Sequence, residues 1–176
     1  MIICALVLFW LSTITTTGTC LAAEKGQAEK NAALGTDTLD ALRYIREEVK
    51  LARDLYGALS DIWGLEVFEN TAKSKQLLMN AVSYLLKPYG FDDPADNAGK
   101  FVDSDLQELY SSLIDQGKVS RNNAIDVTIL IEQTVIADLN DVFLQTNEKD
   151  VHKVLTLLME GSENHLHELS RYLVMY

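Results

Sequence analysis

Four stretches of twenty residues or more repeat apolar side chains every three or four positions, and this period most constrains the fold. A helix turns by about 100° per residue, so such spacing lines one face with hydrocarbon. The first stretch covers residues 37–63 and carries Leu42, Ile45, Val49, Ala52, Tyr56 and Leu59 on its face. The second covers 66–87 with Phe68, Ala72, Met79, Val82 and Leu86, and the third covers 120–145 with Ile125, Ile129, Ile136, Leu139 and Phe143. The fourth runs from 147 to the end with Val151, Val154, Leu155, Leu158, Leu169 and Tyr172. None shows the period-two alternation of a half-buried strand. Only two prolines occur in 176 residues, both between the second and third stretches. Long helices are therefore permitted, and sandwiches or barrels with frequent turns are disfavoured. The fold class expected is all-α.

The links set the topology. Gly64-Leu65 and Thr146-Asn147 each make a single turn, which places consecutive helices antiparallel. Thr36, Asp37 and Thr38 are potential caps for the first helix, Gly64 stops it, and Pro88 ends the second. The link over residues 88–119 is long, and within it 103–116 reads as a short helix with Leu106, Leu109, Tyr110 and Leu113 facing inward. Two antiparallel pairs joined by a long crossover have the connectivity of a ferritin-like four-helix bundle, assigned here to residues 37–176.

Residues 1–22 differ from the rest. They contain no Asp, Glu, Lys or Arg, begin with an apolar run over 2–11, and close with Cys20-Leu21-Ala22. This is the layout of a secretory signal peptide, with small residues at the -3 and -1 positions of a cleavage site. The apolar run is about half the ~20 residues a spanning helix needs, so no permanent membrane span is expected. Lipidation of Cys20 is the weaker alternative. Residues 23–36 read as a flexible lead-in, and the expected location is extracellular or periplasmic. Both cysteines, Cys4 and Cys20, fall in the leader, so the remaining 154 residues hold no disulfide. Those residues keep the whole net charge of -11. Such an acidic chain is a poor nucleic-acid binder, since phosphate contacts need clustered Lys and Arg. A protein, a matrix or a cationic surface is the expected partner, and a homodimer is compatible with the sequence.

The period also forces polar side chains inward. Glu48 falls between Ile45 and Ala52, Lys75 between Ala72 and Met79, and Glu132 between Ile129 and Ile136. His165 falls between Leu158 and Leu169, with Ser162 beside it. Glu47 lies at the edge of its face, while Arg46, Lys50 and Arg53 are expected to point away. Ionised groups are costly to bury and occur inside when paired or metal-bound. One such residue per helix matches the way di-iron carboxylate bundles build their site, and carboxylate and imidazole suit iron or manganese. Tyr44 and Tyr172, near this cluster, are expected to be core residues, with radical trapping as the alternative. His152 and His167 are read as surface residues, and the acidic stretch over 92–97 as a solvated turn. No phosphate loop, G-x-S-x-G motif or calcium loop is present, and no catalytic residue is assigned.

The segment Ile45-Arg46-Glu47-Glu48-Val49-Lys50-Leu51-Ala52-Arg53-Asp54-Leu55-Tyr56 resembles the signature of a ferritin-like family of unknown function found in bacteria and archaea. The resemblance continues through Trp63-Gly64-Leu65, Phe68-Glu69-Asn70-Thr71-Ala72-Lys73-Ser74, Leu85-Leu86-Lys87-Pro88-Tyr89-Gly90 and Gly161-Ser162-Glu163-Asn164-His165-Leu166. It implies a ferritin-like bundle with a candidate metal site. Two departures bear on that site. Where the family reads Ser-Glu-Gln-x-His-Met, this chain has Ser74-Lys75-Gln76-Leu77-Leu78-Met79, replacing a Glu by Lys75 and a His by Leu78. Where it reads Glu-Glu-Leu-Asp, this chain has Glu132-Gln133-Thr134-Val135. The resulting expectation is a metal-free ion-pair network of Glu48, Lys75 and Glu132 beside Ser162 and His165. The competing expectation is a single iron or manganese ion held by Glu48, Glu132 and His165. On the first, the protein is a binding or structural module; on the second, a metal-binding protein of oxidase or ferroxidase type.

Overall fold

Helix α1 (Thr36–Trp63) ends where Gly64 adopts φ 62, a left-handed conformation that costs glycine little, and its N–H bonds Ser60 O at 2.8 Å. The chain turns at once into α2 (Glu66–Leu86), which passes through a 3-10 turn at Lys87–Tyr89. Next come the short α3 (Ser104–Gly117), then α4 (Arg121–Gln145) and α5 (Lys149–Met175). The structure, a computed structural model, describes residues 34–91 and 97–175. No strand occurs among the described residues, so the chain is all-α. The expected leader, most of the lead-in and most of the acidic turn lie outside those residues. Among the described helices, none is long and apolar enough to cross a membrane.

Side-chain caps start two of the helices. Asp103 accepts from the N–H groups of Asp105 and Leu106 at 2.9 and 3.0 Å, and Ser120 accepts from that of Asn123 at 3.1 Å. The start of α1 departs from expectation. Its N-cap is Gly35 with no side-chain bond, and Thr36 already lies inside the helix. Asp37 instead sits in the first turn, where a carboxylate favours the positive end of the helix.

Helix α1 packs on α2, and α4 on α5; the two pairs meet through α1 against α4 and α2 against α5. The apolar faces meet in one core that includes Leu42, Ile45, Leu55, Phe68, Val82, Val135, Leu139 and Leu155. Burying each such side chain contributes about 1.5–3 kcal/mol. Helix α3 lies across α1 and α4. It ends at Gly117, where an added Cβ would sit 2.8 Å from Leu59 Cδ2. Trp63 Nε1 donates to the Gly117 carbonyl at 2.9 Å, tying this end of α3 to the end of α1.

Helix α1 is covered on more than one side, which overturns the outward placement of Arg46 and Lys50. They are 1% and 2% exposed. Lys50 Nζ donates to Asp54 Oδ2 at 2.7 Å and to the carbonyls of Asn97 and Lys100 at 2.9 and 3.0 Å, and it lies 4.4 Å from the Phe101 ring centre. Asp54 in turn accepts from the Gly99 N–H at 2.9 Å and from Arg53 Nε at 2.8 Å. Glu47 accepts from the Val102 N–H and, at 3.3 Å, from that of Asp103. Periodicity locates the strongest apolar face, but this second face is polar and buried because the crossover backbone needs donors and acceptors.

Candidate functional site

Lys75 and Glu132 are both 0% exposed, and Lys75 Nζ lies 2.7 Å from Glu132 Oε2. The same ammonium donates to Ser162 Oγ at 2.9 Å. The other carboxylate oxygen, Oε1, accepts from Tyr56 OH at 3.0 Å and lies 3.1 Å from His165 Nδ1. Glu132 on α4 is thus bound by one side chain from each of α1, α2 and α5. Helical spacing explains the convergence, since each of these residues occupies a face its helix turns toward the core.

The electrostatics follow from this geometry. Burial alone would raise the Glu132 carboxyl, but the Lys75 ammonium and the His165 bond outweigh it and hold the group at about 2. An ionised Glu132 is an acceptor only, so His165 Nδ1 carries the proton it donates. In the neutral ring His165 Nε2 is then the acceptor, and it lies 2.9 Å from Ser74 Oγ. Tyr56 is pushed well above the usual phenol range, by burial first and by the Glu132 charge second.

Glu48 stands apart from this network. It is 0% exposed, and neither carboxyl oxygen makes a hydrogen bond of ordinary geometry. Burial raises its carboxyl to about 9; Asp138 adds to the rise and Lys75 opposes it. Glu48 therefore stays protonated at neutral pH, and within this cluster the one formal negative charge is on Glu132, against Lys75. The expected three-residue network is in hydrogen-bond terms a pair, Lys75 with Glu132, and Glu48 couples to it only through space.

Among the described residues, no three or more His, Cys, Asp or Glu side chains are grouped so as to hold a metal ion. Glu132 and His165 touch, but Lys75 fills the second side of the carboxylate and Leu78 contributes no donor. Leu78 packs instead beneath Gly161, where an added Cβ would approach its Cδ1 to 2.9 Å.

The remaining expected residues separate. Tyr44 is 38% exposed, on the Glu48 side of α1, and Tyr172 lines a surface pocket that also includes His165. His167 is exposed. His152 corrects the surface reading. Its ring stacks on Phe143 with centroids 3.9 Å apart, and its Nε2 lies 2.7 Å from the Thr146 carbonyl, closing the α4–α5 turn. Sequence reasoning gave no role to Ser74 or to the Tyr56 hydroxyl. Their signal was positional: Ser74 precedes Lys75 on the same helix, and Tyr56 was counted only as an apolar member of its face.

Residues 38–175 match the uncharacterized protein domain DUF2202. The chain belongs to this family. The DUF2202 protein is 40% identical over 139 residues to the uncharacterized protein MJ0754 of Methanocaldococcus jannaschii, an alignment covering 78% of this chain and 75% of the relative. It is also similar to the crystal structure of hypothetical protein MJ0754 from Methanococcus jannaschii, with a TM-score of 0.79 and 38% identity over 81% of this chain and 82% of that one.

Proposed function

We propose that this DUF2202 protein is a ferritin-like four-helix bundle in which an internal ion pair has replaced the metal site. It acts outside the cytoplasm as an acidic binding or structural module, toward a protein, a matrix or a cationic surface, without di-iron chemistry. One observation carries the reading: Lys75 Nζ sits 2.7 Å from Glu132 Oε2, in the space a cation bound to that carboxylate would need. An ammonium there supplies the positive charge that the buried carboxylate requires and repels a metal ion. The donor set argues the same way. Glu48 is held protonated, and a protonated carboxyl is a poor ligand for a hard cation. The residues present therefore do not fit a two-metal centre, nor a single iron or manganese ion on Glu48, Glu132 and His165.

The pairing of two antiparallel hairpins and the long crossover support the ferritin-like assignment. The net charge of -11 and the layout of residues 1–22 support the extracytoplasmic, acidic role. The test is a metal analysis of the purified protein beside the double variant Lys75→Glu/Leu78→His. The variant is expected to gain iron or manganese binding that the parent lacks. Tight stoichiometric metal in the parent would overturn the proposal.

A further inference from the structure

The Lys75–Glu132 pair has an outer end that reaches the surface. His165 bridges from Glu132 Oε1, 3.1 Å from its Nδ1, to Ser74 Oγ, 2.9 Å from its Nε2. Ser74 is half-buried, and it opens with His165 into a pocket of about 350 Å³ between the start of α2 and the end of α5. Nucleophile, base and orienting carboxylate thus lie in hydrogen-bond sequence, with the hydroxyl at the solvent end. We propose that Ser74, His165 and Glu132 form an acyl-transfer site, in which Ser74 attacks small carboxylic esters, neutral or cationic, entering this pocket. The inference goes beyond the binding-module reading and requires no metal.

Each group fits one role. The Glu132 carboxylate keeps the proton on His165 Nδ1, leaving the Nε2 lone pair toward Ser74, and stabilises the imidazolium that forms. It is a positioning residue, and Lys75 and Tyr56 hold it in place through their own bonds. Ser74 Oγ adds to the ester carbonyl carbon as its proton passes to His165 Nε2. The carbon–oxygen bond to the alcohol then breaks, and the same proton goes to the departing alkoxide. Water completes the cycle: His165 takes one of its protons, its oxygen adds to the acyl carbon, and the carboxylic acid leaves as Ser74 recovers its proton. The sum is ester plus water giving acid plus alcohol. Asn70, one helical turn before Ser74, lines the pocket and offers an amide donor to the oxyanion. Glu66 and Glu168 also line it, the latter 3.3 Å from Arg171, so the opening disfavours anionic esters. The held ionisation of Glu132 agrees with its assigned role.

The experiment treats the full chain with a neutral fluorophosphonate and, separately, with p-nitrophenyl acetate. Adducts are located by intact mass and peptide mapping. A single adduct on Ser74 is expected, absent in Ser74→Ala. His165→Gln should slow labelling by about 100-fold or more, the usual contribution of a positioned base. Lys75→Met/Glu132→Gln, which removes both charges together, should label as slowly as His165→Gln. Circular dichroism would establish that each variant is folded. Absence of any Ser74 adduct on the parent protein would overturn the proposal without recourse to a variant. So would labelling of folded His165→Gln at the parental rate.

Discussion

Replacing Glu48 by Gln should make the protein more stable as pH rises, relative to the parent, although Glu48 lies in the core. Its carboxyl is moved from 4.5 to about 9, by burial first and by Asp138 second. Between those two values the folded chain holds a proton that the unfolded chain has released. Stability of the parent therefore falls with pH across this window, by about 1.4 kcal/mol per pH unit. It is fully present below 4.5 and lost as pH climbs through about 9. From the lower bound to pH 7, the linked loss is about 3 kcal/mol. Gln does not ionise, so Glu48→Gln escapes that loss. The amide adds a donor whose burial carries its own cost of about 1–3 kcal/mol, but that cost is the same at every pH. The informative quantity is therefore the change in the variant-minus-parent difference between pH 4 and pH 7. Urea unfolding followed by circular dichroism at pH 4, 5.5, 7 and 8 measures it. An increase of about 3 kcal/mol in favour of the variant is expected, or roughly 10 °C in Tm. A difference that stays flat over this range, or that moves toward the parent, would refute a protonated Glu48.

Two further outcomes follow from the buried pairs. Lys75→Met should cost about 3–5 kcal/mol by leaving Glu132 unpaired, and Lys75→Met/Glu132→Gln should cost less than the sum of the single changes, as read from a double-mutant cycle of urea midpoints. Lys50→Met should release the crossover carbonyls of Asn97 and Lys100, at about 1.5–3 kcal/mol for a charged donor, and raise amide exchange over residues 97–103 well above that of α4.

Much of the helical framework was legible because long amphipathic helices announce themselves. The expected spans 37–63, 66–87, 103–116 and 120–145 differ from the observed elements by a residue at most of their ends. Glu48, Lys75, Glu132, Ser162 and His165 could be picked out as inward for the same reason, and all five are buried. Which of them touch was not legible. A helical wheel gives an angle but no height along the axis, and Lys75 extends toward Glu132 and Ser162 rather than toward Glu48. Burial of Arg46 and Lys50 was hidden by the assumption that each helix has one covered face. His152 was misread because a turn of a few residues brings it over Phe143, a contact outside any helical period. The Ser74–His165 contact joins residues 91 apart in sequence, beyond the reach of local patterning.

The bonds around Glu132 also bear on how the chain folds. Its partners Lys75 and Tyr56 lie 57 and 76 positions away, and Lys75 reaches Ser162 across 87. None of these contacts can form inside one hairpin. Each hairpin can take shape through local contacts while the ammonium and the carboxylate remain hydrated. Docking of the hairpins must then strip water from both charges before their attraction returns the energy. That ordering places a desolvation barrier late in folding, and the reverse path meets it first. A chain closed in this order would thereby open slowly, its shape held in part by a barrier to separation.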